Sequence, residues 1–185
     1  MTHRSFLFVL SSTRSPSNSE QLARRAAEHL PPNGEARFLR LSDHPLPPFV
    51  DTRHDVGFGP LCHHAQRLAD ATLAATDLVI VAPVYWYSLP AAAKSYLDHW
   101  SHWMRVEPLA FKATMRGRRL WSIVVDSSEP EDAGARPLIG CLELTAQYLD
   151  MTYAGTLLGH ANRPGEIVND AHAMKAAETF FASAG

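Results

Sequence analysis

The sequence predicts an α/β fold: a five-stranded parallel sheet with helices on both faces, three layers in all. Short runs such as Phe6-Leu7-Phe8-Val9-Leu10 and Leu78-Val79-Ile80-Val81-Ala82 are apolar throughout. Strands of that kind are buried on both faces, as in a covered parallel sheet. The runs alternate with segments whose apolar residues recur every three or four positions, which is the rhythm of strand, helix, strand. The chain has 185 residues, 46% of them hydrophobic, and at roughly 100–200 residues per domain it reads as a single domain over 1–185.

Taken in order, residues 6–10 form the first strand and stop at Ser11-Ser12-Thr13. Ser17-Asn18-Ser19-Glu20 fits the S-x-x-E capping box, and Leu22, Ala23, Ala26, Ala27 and Leu30 follow at helical spacing. Pro31-Pro32-Asn33-Gly34 ends that helix, and residues 36–41 read as the second strand. Pro45, Pro47 and Pro48 forbid regular structure to about Gly59. Leu61, Ala65, Leu68 and Leu73 mark the next helix, and residues 78–82 the third strand. Pro90 suits the first turn of a helix that runs to about Met104. Residues 120–125 are a strand, 137–149 a helix, 152–158 a strand and 170–182 a last helix, giving five strands and five helices. Five such strands suit the doubly wound order 2-1-3-4-5, in which ligands bind beyond the carboxyl ends of the strands where the order reverses.

Composition excludes several classes. Seventeen Lys plus Arg against nineteen Asp plus Glu leave a net charge of −2, without the basic surplus that nucleic-acid binding needs. The longest apolar run, residues 78–87, is ten long, about half of the roughly 20 residues that span a bilayer. Residues 6–10 are too short for a signal segment, so no membrane partner and a cytoplasmic location are expected. Two cysteines, Cys62 and Cys141, are too few for a disulfide framework or an iron–sulfur cluster. Neither is followed by Arg six residues on, where Leu68 and Gln147 stand, so no C-x5-R phosphatase loop exists. No metal site is expected.

The informative loops follow strands 1, 3 and 4. The first, residues 11–19, crowds hydroxyls, an amide and Arg14 onto a helix N-terminus. Free amides, the helix dipole and a guanidinium fork make that a place for a phosphate; the alternative is a capped, solvated turn. Neither G-x-x-x-x-G-K-[ST] nor G-x-G-x-x-G is present. The third-strand loop, Pro83-Val84-Tyr85-Trp86-Tyr87-Ser88-Leu89-Pro90, puts three aromatics at the carboxyl edge of the sheet. Rings and backbone amides are what a flat conjugated ligand asks of its pocket, unless they pack against a neighbouring loop or a second subunit. Together the loops suit a ligand with a phosphate at one end and a flat ring at the other.

S-x-R-x-x-S-N-S after strand 1 and P-V-Y-W-Y-x-x-P-x-x-x-K-x-x-x-D after strand 3 resemble the NADPH-dependent FMN reductase family of flavodoxin-like flavoproteins. The resemblance extends over nearly the whole chain, through Glu131-Asp132, Tyr148-Leu149-Asp150-Met151 and Gly155-Thr156-Leu157-Leu158. It also runs close to the iron–sulfur flavoprotein branch, whose cysteine motif is absent here. It implies a flavodoxin-like sandwich and an FMN phosphate held by Ser12, Arg14, Ser17, Asn18 and Ser19. The ring would lie against Pro83, Val84, Tyr85, Trp86 and Tyr87 and the fourth-strand loop Asp126-Ser127-Ser128. It further implies NADPH or NADH as donor, a small-molecule acceptor such as a quinone or free flavin, and a homodimer or homotetramer. Ser11 stands where the family usually has Gly, and Asp126-Ser127-Ser128-Glu129 where it has a Gly-containing loop.

With FMN bound, the flavin carries hydride from nicotinamide to acceptor and no side-chain base is obligatory. Tyr87 and His160 are the side chains that could donate a proton. An electron-carrier flavodoxin is an alternative, although such chains are strongly acidic with T-x-T-G-x-[ST] first loops; a member that has lost flavin and serves as an interaction protein is another. Trp100 and Trp103 share a helical face, which suits a dimer contact, a substrate wall or plain core. Arg116, Arg118 and Arg119 suit either the extra phosphate of NADPH or an ordinary charged turn.

Overall fold

The computed structural model describes residues 3–127 and 133–182. Five parallel strands, β1 (Arg4–Leu10), β2 (Gly34–Arg40), β3 (Asp77–Pro83), β4 (Arg119–Asp126) and β5 (Thr152–His160), form one sheet in the order β2-β1-β3-β4-β5. The expected order is therefore observed. Side chains alternate between two cores. Leu7, Val9, Leu78, Ile80, Leu120 and Val124 face one helical layer, and Phe6, Phe8, Val79, Val81, Trp121 and Ile123 face the other. This is why the central strands carry no polar alternation.

The first layer holds α2 (His63–Ala74), α3 (Ala91–Trp103), a short α4 (Phe111–Met115) and α5 (Arg136–Tyr148). The second holds α1 (Asn18–Ala27) and α6 (Ala171–Ala176). Helix α4 is absent from the sequence reading because five residues are too few to show a period. Its two buried residues, Phe111 and Met115, lie one turn apart, and the Phe111 ring packs on Trp100 and Trp103 at 5.4 and 5.6 Å. Both tryptophans are buried with Tyr96, so both pack in the core, and Trp100 also lines a groove between α3 and α5.

The helix expected over 170–182 stops at Ala176 and continues as turns, closed by i to i+3 bonds such as Glu178 N–H to Lys175 O at 3.1 Å. Adjacent rings explain it. Phe180 and Phe181 both reach Trp121, each at 5.1 Å, which neighbours about 100° apart around an α-helix do not readily do.

The amino end of the sheet is pinned by Asp77. Its carboxylate is fully buried and accepts from Arg4 at 2.6 and 3.2 Å, Arg119 at 2.6 and 3.2 Å, Thr76 Oγ1 at 2.7 Å and Trp121 Nε1 at 3.0 Å. Burial alone would raise this carboxyl, but the hydrogen bonds from Arg4, Arg119, Thr76 and Trp121 prevail and hold it at about 2. Arg118, beside it, donates to the carbonyls of Leu73 at 2.6 Å and of Ala75, where α2 ends. These arginines therefore serve the fold at the sheet edge opposite the ligand end, and Arg116 pairs with exposed Asp150 at 3.3 Å. Of the two readings open for this turn, an ordinary charged turn is the one these contacts support.

Candidate functional site

Beyond the carboxyl ends of the strands lies a cleft of about 270 Å3 lined by Ser12, Arg14, Pro16, Ser17, Asn18 and Ser19. Its other wall comprises Pro83, Val84, Tyr85, Val125 and Ser127, with Ala161, Asn162 and Pro164 closing the side. The parallel sheet brings these segments together, because β1, β3, β4 and β5 all finish on the same edge.

The first loop turns sharply out of β1. Ser11 is buried, and both its amide and its hydroxyl donate to Val81 O, at 3.0 and 2.8 Å. It is not among the residues with positive φ, so a side chain is accommodated where the family usually has Gly, and the hydroxyl ties the loop to β3. Ser12 Oγ accepts from Arg14 N–H at 3.1 Å, and the Ser15–Pro16 peptide is cis. Ser17 caps α1, its Oγ accepting from Glu20 N–H at 3.1 Å and lying 3.2 Å from Ser19 Oγ. Only this half of the expected capping box is in evidence. The Glu20 carboxylate is held by Arg24 at 2.8 Å and by Arg40 at 2.6 Å. Burial alone would raise the Glu20 carboxyl, yet the bonds from Arg40 and Arg24 hold it below its ordinary value.

Asn18 lines the cleft, but its side chain is engaged elsewhere. Nδ2 donates to Arg163 O at 2.9 Å and Oδ1 accepts from Gly165 N–H at 2.8 Å, fastening the loop after β5 to the start of α1. What Asn18 offers the cleft is its backbone amide, one of the first-turn donors that a helix leaves without an intrahelical partner. Glu166 shapes the same loop by accepting from the amides of Asn162 at 3.0 Å and Arg163 at 2.7 Å; those bonds hold its carboxyl below the ordinary value.

The third loop is a two-residue reversal. Tyr85 and Ser88 exchange both backbone hydrogen bonds at 3.1 Å, and Trp86 and Tyr87 between them have φ of 50° and 62°. Bulky residues seldom adopt that conformation. It leaves Trp86 92% and Tyr87 59% exposed, with Tyr85 alone of the three reaching the cleft wall. Among the described residues, the tip amides of Trp86 and Tyr87 make no backbone hydrogen bond outside regular elements.

Asp126 ends β4 as a buried residue whose Oδ1 accepts from Ser127 N–H at 2.7 Å while its carbonyl accepts from Ala161 N–H at 3.1 Å. It braces the cleft from beneath, and Ser127 lines it. Ser128 lies outside the described residues, as do Glu131 and Asp132. His160 lines a separate hollow with Asp170 and His172, and its amide donates to Asp170 Oδ2 at 2.7 Å. It is not among the residues lining the cleft. The loop after β5 was missed by the sequence reading, although its Asn162, Pro164 and Gly165 following a strand of the same parallel sheet were a usable signal.

A doubly wound sheet with an anion-suited loop and an aromatic turn at its switch point is a flavodoxin-like architecture, in which ligands bind at that point. Comparison with known proteins agrees. The model of the NADPH-dependent FMN reductase family matches residues 5–135. The Bacillus subtilis (strain 168) protein YwqN, which carries the name of an NAD(P)H-dependent FMN-containing oxidoreductase, is 30% identical over 167 residues, 89% of this chain and 90% of its own. Among solved structures, the Trp repressor binding protein from Bacillus subtilis superposes with a TM-score of 0.76 at 24% identity, covering 95% of this chain and 96% of that one. An FMN-dependent NADH-azoreductase from Bacillus anthracis str. Ames Ancestor, in complex with FMN, gives 0.68 at 15% identity over 98% of each chain. The chain belongs to the NADPH-dependent FMN reductase family. It is an NAD(P)H-dependent oxidoreductase with FMN as cofactor.

Proposed function

We propose that the cleft holds the phosphate and chain of FMN, with the ring over the 85–88 turn and a small acceptor, a quinone or free flavin, taking the nicotinamide's place on the open ring face. The observation that carries this reading is one continuous cleft, from the hydroxyls of Ser12, Ser17 and Ser19 at the start of α1 to Pro83, Val84 and Tyr85. Its donor set fits a phosphate: three hydroxyls, the first amides of α1 and the Arg14 guanidinium. Bound FMN supplies the hydride relay between donor and acceptor.

The chain's own residues orient and shield. At about 270 Å3 the cleft is smaller than the roughly 300–1,000 Å3 of pockets that enclose a whole ligand, a size that suits the phosphate and chain of FMN. The backbone amides of Trp86 and Tyr87 in the adjoining turn would supply donors to the polar edge of a bound ring. Tyr87, exposed in this turn, is one of the side chains there that could donate a proton; His160 lines a separate hollow instead.

The protein acts as a homodimer in the cytoplasm, folded as one domain over 1–185. A groove of about 740 Å3 between α3 and α5, flanked by Leu144 at 67% and Tyr148 at 62% exposure, supports a self-complementary contact. No helix among the described residues is long and apolar enough to cross a membrane.

Steady-state kinetics test the proposal, with NADPH or NADH varied against 1,4-benzoquinone or free FMN. Parallel double-reciprocal lines are expected, since donor and acceptor share one ring face. Intersecting lines would show both bound together and refute the alternation. A sedimentation experiment that finds only monomer at micromolar concentration would refute the dimer.

A further inference from the structure

The strand register places Arg40 opposite Leu10, at the point where the chain leaves β1 to build the cleft loop. Arg40 is not among the residues that line the cleft. Its guanidinium instead spans two pieces of the scaffold. Nη2 donates to Glu20 Oε2 at 2.6 Å, and Nη1 makes a longer contact of 3.4 Å with Arg14 O on the loop itself.

Glu20 makes this placement consequential. The carboxylate is buried in the first turn of α1, only 3% of the residue being exposed. A rise of about 1.5 Å per residue sets its backbone about 4.5 Å along the axis from the N-cap. A phosphate at that N-terminus would face a buried negative charge through protein rather than water, where repulsion is poorly screened. Two guanidiniums reverse the sign. Arg24 and Arg40 both pair with Glu20, so the cluster carries a net positive charge. Arg24, however, is 55% exposed at its side chain whereas Arg40 is 18% exposed, and the better shielded partner contributes more.

We infer that Arg40 is a positioning residue for the phosphate end of the cleft: it neutralises Glu20 beneath the first turn of α1 and holds the loop backbone at Arg14. The inference rests on the reading of the cleft as the FMN phosphate site.

The test is the affinity of the full-length, flavin-free protein for FMN and for riboflavin, which lacks the phosphate, followed by flavin fluorescence. Wild type should prefer FMN; equal affinity for the two would overturn the phosphate reading itself, before any variant is made. Arg40→Gln should weaken FMN about tenfold, the scale of one charge-assisted hydrogen bond, and riboflavin by less than about twofold. Equal weakening of both flavins, or of neither, would overturn the positioning role. Glu20→Gln/Arg40→Gln removes the carboxylate that Arg40 neutralises and should leave FMN only about two- to threefold weaker than in wild type, the share of the missing loop contact. Should Arg40→Gln not fold, this double variant still decides the matter: an FMN-selective loss of about threefold fits the missing loop contact, and no selective loss refutes it.

Discussion

Asp77→Asn tests whether the amino end of the sheet is held by charge. The wild-type carboxylate receives four partners and is fully buried. Asparagine keeps the shape but turns one oxygen into an N–H2 group that faces Arg4 or Arg119. Breaking a buried pair in this way costs about 3–5 kcal/mol, and the low end applies because Arg119 is partly solvated, its side chain 31% exposed. For a chain of this size, 3 kcal/mol lowers the thermal midpoint by about 6–12 °C. The pH dependence carries a second signature. The folded carboxyl sits at about 2 against an ordinary 3.8, so its stabilisation of about 2 kcal/mol is fully present above pH 3.8 and lost as pH falls toward 2. Thermal unfolding followed by circular dichroism between pH 7 and pH 2 reads both effects. A variant within 1 °C of wild type at pH 7, or one with the same acid slope, would refute the account.

Gly159 allows a different test: a Cβ there would meet Ile167 Cδ1 at 2.6 Å and Leu22 Cδ2 at 2.9 Å. Gly159→Ala should cost about 1–3 kcal/mol by overpacking, measured by urea unfolding; an unchanged midpoint would mean that these side chains give way freely. Tyr87→Gly should stabilise the free protein by about 1 kcal/mol, because φ of 62° is strained for tyrosine. The same variant should raise the KM for the acceptor if the exposed ring borders its site.

The central strands were legible because residues buried on both faces leave no ambiguity of pattern: 6–10 and 78–82 were assigned and lie within β1 and β3. The Ser17 cap was legible for a related reason, since its bond to Glu20 N–H spans three residues of chain. Partners from distant sequence were not. The Asn18 side chain was assigned to a phosphate and is held by Arg163 and Gly165, 145 and 147 positions away. The Glu20 carboxylate was expected to close the capping box locally, yet Arg40, delivered by the pairing of β1 with β2, takes it. Arg116, Arg118 and Arg119 had a charge but no address, and only the direction of β4 shows that they lie at the end away from the cleft. The Trp86–Tyr87 reversal was unreadable for another reason. Turns with two positive φ values usually announce themselves with Asn or Gly, and here two aromatics occupy the positions.

The Asp77 cluster divides the molecule into two ends with different tolerances. Strands of seven to nine residues put it roughly 20 Å from the ligand loops, so changes at one end add to changes at the other with little coupling. Substitutions in the 85–88 turn and the loop after β5 therefore have room to accumulate, because the structural reserve that absorbs their destabilising effect is stored at the far end of the sheet. Hydrogen exchange should show this as a gradient, with the slowest amides near the starts of β3 and β4 and the fastest in the cleft loops.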